Sequence, residues 1–576
     1  MNSKHTPPRR DPHAGTPQNP LLASRLPMWR SKLVLLIIFV AFASLVGRAF
    51  WIQVANQDFY IEQGQKRYQR TIELDATRGR IVDRHGAMLA VSLATFEIWA
   101  TPRLIKEAAF APLAKLIDIP VPELRRRLTA DRQFVLLKRQ VDVDTAEKID
   151  RLGLAGLTQI ADTKRFYPEG ESAAHVVGFT DIEDKGQEGI ELAADAWLSG
   201  APGEREVIRD RLGRVVSETR PLVPAQNGAT VQLTIDRRIQ QLAYAQLRAA
   251  VEKHGAQAGS VVVLDARNGE VLALANWPTF DPNDRTRLTG RQLRNRAVVD
   301  TFEPGSTIKP LVVALSIDEG KVRPQTLIDT APGSYRIGPN VIHDTSDHGR
   351  MTVAEAVQKS SNIALAKLAL NLPAETIWTK YQEYGLGQPP ALTFPGVAAG
   401  KVRPYKRWRP IEQATMAYGY GLSASLLQIA QVYTAYAGDG TLHPATLLLD
   451  HAQPGIDAAP RSPGHRVTKP ATAASIRSML EMATGPGGTG RAAAIEGYRV
   501  GGKTGTARKQ VGASYAKNRY RALFVGMAPM SDPRLIVAVM IDDPAGRAFY
   551  GGTVAGPVFS SVTGGALQLL GVPPDA

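Results

Sequence analysis

Ser306 and Lys309 stand three positions apart in Phe302-Glu303-Pro304-Gly305-Ser306-Thr307-Ile308-Lys309-Pro310. Pro304 and Gly305 interrupt the preceding chain, and Ile308, Leu311, Val312 and Leu315 recur at i, i+3, i+4 and i+7. A helix with an apolar face is therefore predicted from about Ser306. Pro310 is tolerated in its first turn, where N–H groups have no intrahelical partner. The spacing puts the lysine one turn from the hydroxyl, on the same side of the helix. A serine hydroxyl attacks a carbonyl when a neighbour takes its proton, and a lysine can do so where burial and nearby positive charge lower its pKa. Alone, the spacing carries little weight, because solvated helices also contain it.

Two further motifs change that weight: Lys359-Ser360-Ser361-Asn362 and Val500-Gly501-Gly502-Lys503-Thr504-Gly505-Thr506. Thr352-Val353-Ala354-Glu355 reads as a capping box opening a short helix that stops near Lys359, which leaves 360–362 as a turn aiming side chains into a cleft. Lys503 to Gly505 lie in a β-like run, where Gly505 would let a substrate backbone approach as an added strand. Taken in order, Ser-x-x-Lys, Ser-x-Asn and Lys-Thr-Gly resemble the three signatures of penicillin-binding proteins and serine β-lactamases. The resemblance implies that Ser306 attacks, Lys309 accepts its proton, Ser360 relays protons to the leaving amine and Asn362 holds the substrate amide. It further implies that Lys503 supplies positive charge, Thr504, Gly505 and Thr506 bind substrate, and the backbone N–H groups of Ser306 and Thr506 form an oxyanion hole. No metal or cofactor is called for.

The elements that must position these residues are legible nearby. A helix is predicted from about Arg238 to Val251. Strands 260–265 and 270–274 flank Asn268-Gly269, a strong hairpin signal, and a second hairpin pairs 522–528 with 535–541. Hairpins far apart in the chain imply one antiparallel sheet with a helical insertion between them, and an active site at their junction. The fold class is α/β and multi-domain.

At the other end, residues 1–32 hold six basic residues against Asp11 alone, and six prolines, which reads as a disordered cytoplasmic tail. Residues 33–55 (LVLLIIFVAFASLVGRAFWIQVA) form an apolar run long enough to span a bilayer, with Arg48 snorkelling and Trp29 and Trp51 at the interfaces. An uncleaved anchor is favoured over a signal peptide cut at Ala41-Phe42-Ala43, since that cut would divide a continuous apolar run. The basic flank places the N-terminus in the cytoplasm and the bulk in the periplasm. The net charge of +15 falls to +10 without the tail, which fits a solvated basic surface and makes nucleic acid an improbable partner outside the membrane. Cysteine is absent, so there are no disulfides or thiol metal sites.

Residues 56–225 read as short strands and connectors without a catalytic cluster. Arg78-Gly79-Arg80-Ile81-Val82-Asp83-Arg84 is taken as a turn with paired surface charges. That run, with Tyr167-Pro168-Glu169-Gly170, Ala174-His175-Val176-Val177-Gly178 and Gly186-Gln187-Glu188-Gly189-Ile190-Glu191, resembles the N-terminal motifs of class B penicillin-binding proteins, closest to the division-specific FtsI type. The resemblance covers roughly 30–565. It implies a β-rich, non-catalytic pedestal of dimerisation type at 56–225, a transpeptidase domain at 226–566 with an antiparallel sheet flanked by helices plus a helical subdomain, and a tail at 567–576. One departure is Ser423-Ala424-Ser425-Leu426, where relatives read closer to Val-Thr-Pro-Leu.

The activity implied is an inner-membrane D,D-transpeptidase that cross-links peptidoglycan stem peptides at the septum and is acylated by β-lactams. Its expected partners are lipid-linked nascent glycan, a membrane glycosyltransferase and other divisome proteins. A side-wall transpeptidase, a D,D-carboxypeptidase and a membrane-anchored β-lactam sensor or division scaffold remain alternatives. A β-lactamase would need a water-activating carboxylate, and no Glu-x-x-Leu-Asn lies between Asn362 and Lys503.

Overall fold

The computed structural model describes residues 28–56, 58–59, 69–129, 132–209, 215–449, 463–512, 514–546 and 548–576. The basic tail up to residue 27 lies outside them. The chain divides into two compact units, 1–74 with 203–224, and 75–202 with 225–576. In the first, α1 (Met28–Phe50) continues through a π-turn at Trp51–Ala55 and is long and apolar enough to cross a membrane. It begins earlier than residue 33, so Arg30 and Lys32 belong to the helix rather than to the tail. The same unit holds an antiparallel three-stranded sheet, ordered Gln69–Leu74, Gly203–Arg209, Val215–Val223.

In the second unit, β1 (Ile81–Val82) turns back antiparallel onto the long β2 (Met88–Ala100) through His85-Gly86, with Gly86 at φ 83°. Three helices follow that the sequence reading missed: α2 (Phe110–Ile117), α3 (Val121–Thr129) and, after β3 (Val135–Asp142), α4 (Val143–Asp150). Their signal was present. Phe110, Leu113, Ala114 and Ile117 recur with helical period and pack with Ile98, Leu124, Leu137 and Ile149 into a core of their own. β4 (Leu157–Phe166) lies antiparallel on β2, and β5 (Val231–Gln232) lies parallel to β1.

Arg78 and Asp83 are not on the surface, although Arg80 is. Arg78 Nε and Arg165 Nε each lie 2.7 Å from a different oxygen of Glu191, and the three side chains are buried. Charges from three distant stretches of the chain therefore meet in one buried ion triad. A charge is tolerated in such an interior only when paired and hydrogen-bonded.

Helix α5 (Arg237–Lys253) precedes the hairpin β6 (Ala258–Asp265)–β7 (Val271–Trp277), as the sequence implied. The helical insertion contributes α6 (Lys309–Asp318), α7 (Val353–Gln358), α8 (Asn362–Leu370), α9 (Leu426–Ala437) and α10 (Pro470–Thr484). Then come β8 (Gly501–Val511), β9 (Ser514–Ala528), β10 (Leu535–Asp542) and α11 (Gly556–Leu569). The sheet is antiparallel in the order β7-β6-β10-β9-β8, so β8 is an edge strand.

Both sheet faces are covered, which is why Val261 to Leu264 of β6 are apolar without alternation. Val261 and Val263 pack with α5 and α11, while Val262 and Leu264 face the cluster containing α6 and α9. Phe524, 4.7 Å from Phe559 between ring centroids, joins β9 to α11, and truncating it to Ala would cost about 3–5 kcal/mol. All twelve residues of α9 are buried, and Ser425 opens it with a complete capping box to Gln428. At the one departure from the family pattern, serine thus starts the helix by a hydrogen bond. The residues expected as a tail after 566 are docked: Tyr498 Oη donates to Val572 O at 2.6 Å, and Asp575 accepts from the N–H groups of Arg499 and Ser531 at 2.7 and 2.9 Å.

Candidate active site

Gly305 adopts φ 54°, a left-handed backbone open to glycine, and from it a 3-10 turn, Gly305–Ile308, leads into α6. Ser306 therefore sits in the tight turn before the α-helix rather than at its start, and Lys309 and Pro310 are its first two residues. The turn is held from several sides. Gly305 N–H donates to Gly419 O at 3.2 Å, and Tyr433 Oη, from the buried helix α9, donates to Thr307 O at 2.7 Å. Glu303 accepts from Gly421 N–H at 2.8 Å. Gly419 is at φ 85°, and a Cβ there would stand 2.2 Å from Gly305 O, so this approach requires glycine. Ser306 itself is half-buried.

Lys309 is fully buried, and its Nζ has three partners: Ser360 O at 2.6 Å, Asn362 Oδ1 at 2.8 Å and Ser360 Oγ at 3.1 Å. The first two only accept. A neutral amine has two N–H donors and one lone pair, so it can donate to both and receive the Ser360 hydroxyl on its lone pair. Burial, and then the charge of Lys503, hold the Lys309 ammonium well below the usual lysine range, with Asp344 opposing. Among the described residues, no hydrogen bond joins Ser306 Oγ to Lys309 Nζ.

The second motif is shaped as its sequence implied. The Thr352–Glu355 capping box is complete, α7 ends at Gln358, and Ser360 stands at φ 64° between two helices. Asn362 Nδ2 donates to His343 O at 3.0 Å, which fixes the amide with its oxygen towards Lys309. Asp344 organises the turn: its carboxylate accepts from Ser361 Oγ at 2.6 Å, Asn362 N–H at 2.5 Å and Ile363 N–H at 3.1 Å. Sequence reading missed it, since a single aspartate 18 residues before Asn362 carries no local signature.

Lys503, on the edge strand β8, is fully buried, and desolvation pushes its ammonium down to about 7. Thr504 Oγ1 lies 2.8 Å from Thr489 Oγ1, and Thr506 Oγ1 accepts from Gly551 N–H at 3.1 Å, so each hydroxyl is oriented by a neighbour. Gly505 also meets a packing need that its sequence did not show. A Cβ there would lie 2.9 Å from Thr307 Cγ2 and 3.2 Å from Pro304 O, so glycine lets β8 pack against the serine turn. The structure thus brings Lys309, Ser360 and Asn362 into direct contact, sets Lys503 within electrostatic reach, and lays Gly505 against the turn carrying Ser306.

A serine followed three residues on by a buried lysine, with a Ser-x-Asn turn and a Lys-Thr-Gly strand beside them, is the motif set of penicillin-recognising serine enzymes. Residues 259–564 match the model of the penicillin binding protein transpeptidase domain, and 73–233 that of the penicillin-binding protein dimerisation domain, so the chain belongs to the penicillin-binding transpeptidase family. It is similar to the probable peptidoglycan D,D-transpeptidase PenA of Neisseria meningitidis serogroup A, at 45% identity covering 95% of this chain and 93% of the relative. It is also similar to the peptidoglycan D,D-transpeptidase FtsI of Escherichia coli, at 38% identity covering 95% and 93%. Among solved structures, the transpeptidase domain of Burkholderia pseudomallei penicillin-binding protein 3 matches at TM-score 0.54 and 48% identity, covering 60% of this chain and 98% of that one. A peptidoglycan synthetase from Bifidobacterium adolescentis matches at TM-score 0.71 and 25% identity, covering 88% and 98%.

Proposed function

We propose that this peptidoglycan D,D-transpeptidase works through an acyl-enzyme on Ser306. Ser306 Oγ attacks the carbonyl of the penultimate D-alanine of a stem peptide, and its proton passes to the neutral amine of Lys309. The oxyanion is met by the N–H groups of Ser306 and Thr506. As the C–N bond breaks, the proton travels through Lys309 and Ser360 to the departing D-alanine amine. An acceptor amine then attacks the ester, the Ser306 C–O bond breaks, and the serine recovers a proton. Asn362 holds the donor amide, and Lys503, Thr504 and Thr506 hold the terminal carboxylate, with Gly505 keeping the strand close.

The observation that supports this most is the three-partner setting of Lys309 Nζ, within which burial and Lys503 favour the neutral base. The 38% identity to FtsI supports a septal role, and α1 with its basic flank supports an anchor whose catalytic domain faces the periplasm. The pedestal at 56–225 and catalytic domain at 226–566 then stand outside the membrane, beside a glycosyltransferase and other divisome proteins. Mass spectrometry of penicillin-treated protein tests the chemistry: wild type should carry a persistent adduct on Ser306, and Ser306→Ala should be folded and unlabelled. An adduct on another residue would sink the assignment.

A further inference from the structure

A cavity of about 490 Å³ shares no residue with the active site. Ala174, Glu188 and Leu192, from the stretch that matches the dimerisation domain, face Phe280, Val299 and Phe394, from the stretch that matches the transpeptidase domain. Both stretches belong to one compact unit. The size is that of a ligand pocket. Phe280 is buried, edge-on to His175 at 5.5 Å and to Phe179 at 5.7 Å between ring centroids, whereas Leu192 is 42% exposed and Arg294 and Gly396 are open to solvent. An apolar floor inside an exposed rim is the anatomy of an interface hot spot. The polar groups in the walls are satisfied, with one exception. His175 Nε2 donates to Gln292 O at 2.7 Å, Asn295 accepts from Asn276 Nδ2 at 2.8 Å and donates to His175 O at 3.1 Å, and Arg294 pairs with Asp300. The exception is Glu188. It is half-buried, its carboxylate has neither a donor nor a cation beside it among the described residues, and burial alone raises its carboxyl above the usual range.

A half-buried carboxylate that its own chain leaves unpaired calls for a cation from outside. Of the basic side chains, arginine fits this setting better than lysine. Its planar guanidinium takes both carboxylate oxygens and stacks on aromatic rings, while its stem lies along apolar surface. The cavity offers all three, with Glu188 as the carboxylate, Phe280 and Phe394 as rings and Leu192 and Val299 as apolar wall. We infer that it is a docking site for a partner protein, receiving one arginine side chain against Glu188 and that arginine's apolar neighbours against Leu192 and Phe394. Such an anchor bridges the two matched stretches. It also touches the short helix Arg296–Val299, whose Val298 O accepts from Ala398 N–H at 3.0 Å and from which the chain runs on into the serine turn.

Two tripeptide probes test it on the full-length protein in detergent: acetyl-photoleucyl-arginyl-phenylalanine amide, and the same peptide with citrulline, a neutral isostere, in place of arginine. Wild type should bind the arginine probe about tenfold more tightly, and the difference should shrink as ionic strength rises. On illumination that probe should crosslink within 188–192 or 394–396. Glu188→Gln should bind both probes with the affinity of the citrulline probe, and Glu188→Asp should keep part of the preference. Leu192→Ser, at an exposed position the fold tolerates, should weaken both probes alike. Equal binding of the two probes by wild type, no binding at millimolar concentration, crosslinks confined to other stretches, or a preference that survives Glu188→Gln would each overturn the proposal. So would self-association of wild type that Glu188→Gln abolishes, since the occupant would then be a second copy of this chain.

Discussion

The carbonyl oxygen of Ser360 lies 2.6 Å from Lys309 Nζ, and it is aimed there by a backbone at φ 64°. The left-handed region costs a non-glycine residue about 1 kcal/mol or more, so the turn holds strain at the place where its carbonyl and hydroxyl both meet the base. Ser360→Gly should therefore preserve the carbonyl contact and raise stability by several tenths of a kcal/mol or more, while penicillin acylation falls by about 10²–10⁴-fold for want of the hydroxyl. Thermal unfolding and stopped-flow acylation read the two effects separately. A variant that loses stability would refute the strain.

The buried triad makes a prediction about folding rather than chemistry. Glu191→Gln leaves the guanidinium groups of Arg78 and Arg165 without their shared carboxylate, although Asp195 still lies 2.8 Å from Arg78 Nη1. Breaking a buried pair in this way costs about 3–5 kcal/mol. The variant should melt at distinctly lower temperature, yet label with penicillin normally in the cold, because the triad touches none of the proposed catalytic residues. An unchanged melting curve would count against the pairing.

How much of this was legible in sequence depended on how local each determinant is. Thr352 and Glu355 form their capping box within four residues, and Gly269 at φ 75° turns the β6–β7 hairpin, so both were readable. Ser306, Lys309, Ser360, Asn362 and Lys503 were found as motifs, but their contacts were not. Lys309 reaches Ser360 across 51 positions, Arg78 reaches Glu191 across 113, and Tyr433 reaches Thr307 across 126. Such pairs leave no periodicity to read. The 3-10 turn at Ser306 was mistaken for helix because both place i and i+3 on one side.

Asp344 acts on the site in two ways that different substitutions separate. Asp344→Ala removes the acceptor for two N–H groups at the start of α8 and for Ser361 Oγ, which should cost about 1–2 kcal/mol. Asp344→Asn keeps an acceptor but removes the charge that favours the Lys309 ammonium. The amine should then be neutral to lower pH, so the rising limb of the acylation profile should move towards acid. A limb that stays in place would show that Asp344 only caps the helix.

Lys503→Gln should move the same limb the other way. In the wild type the positive charge of Lys503 disfavours a second positive charge on Lys309, and so lowers the Lys309 pKa. Removing it raises that pKa, less of the amine is neutral at pH 7, and the rise in acylation rate is displaced to higher pH. Lys503 shapes the other side of the profile as well. Burial brings its ammonium down to about 7, and only the protonated form attracts the substrate carboxylate. The free wild-type enzyme should thus lose kcat/KM as pH rises through about 7, giving a bell that Lys503→Gln turns into a single rising limb. The rate at pH 7 should drop by roughly 10²-fold or more with the loss of that charge. Acylation by penicillin, followed from pH 5 to pH 10 in both proteins, decides it. If the variant's profile is merely scaled down with both limbs unmoved, Lys503 does not tune the base.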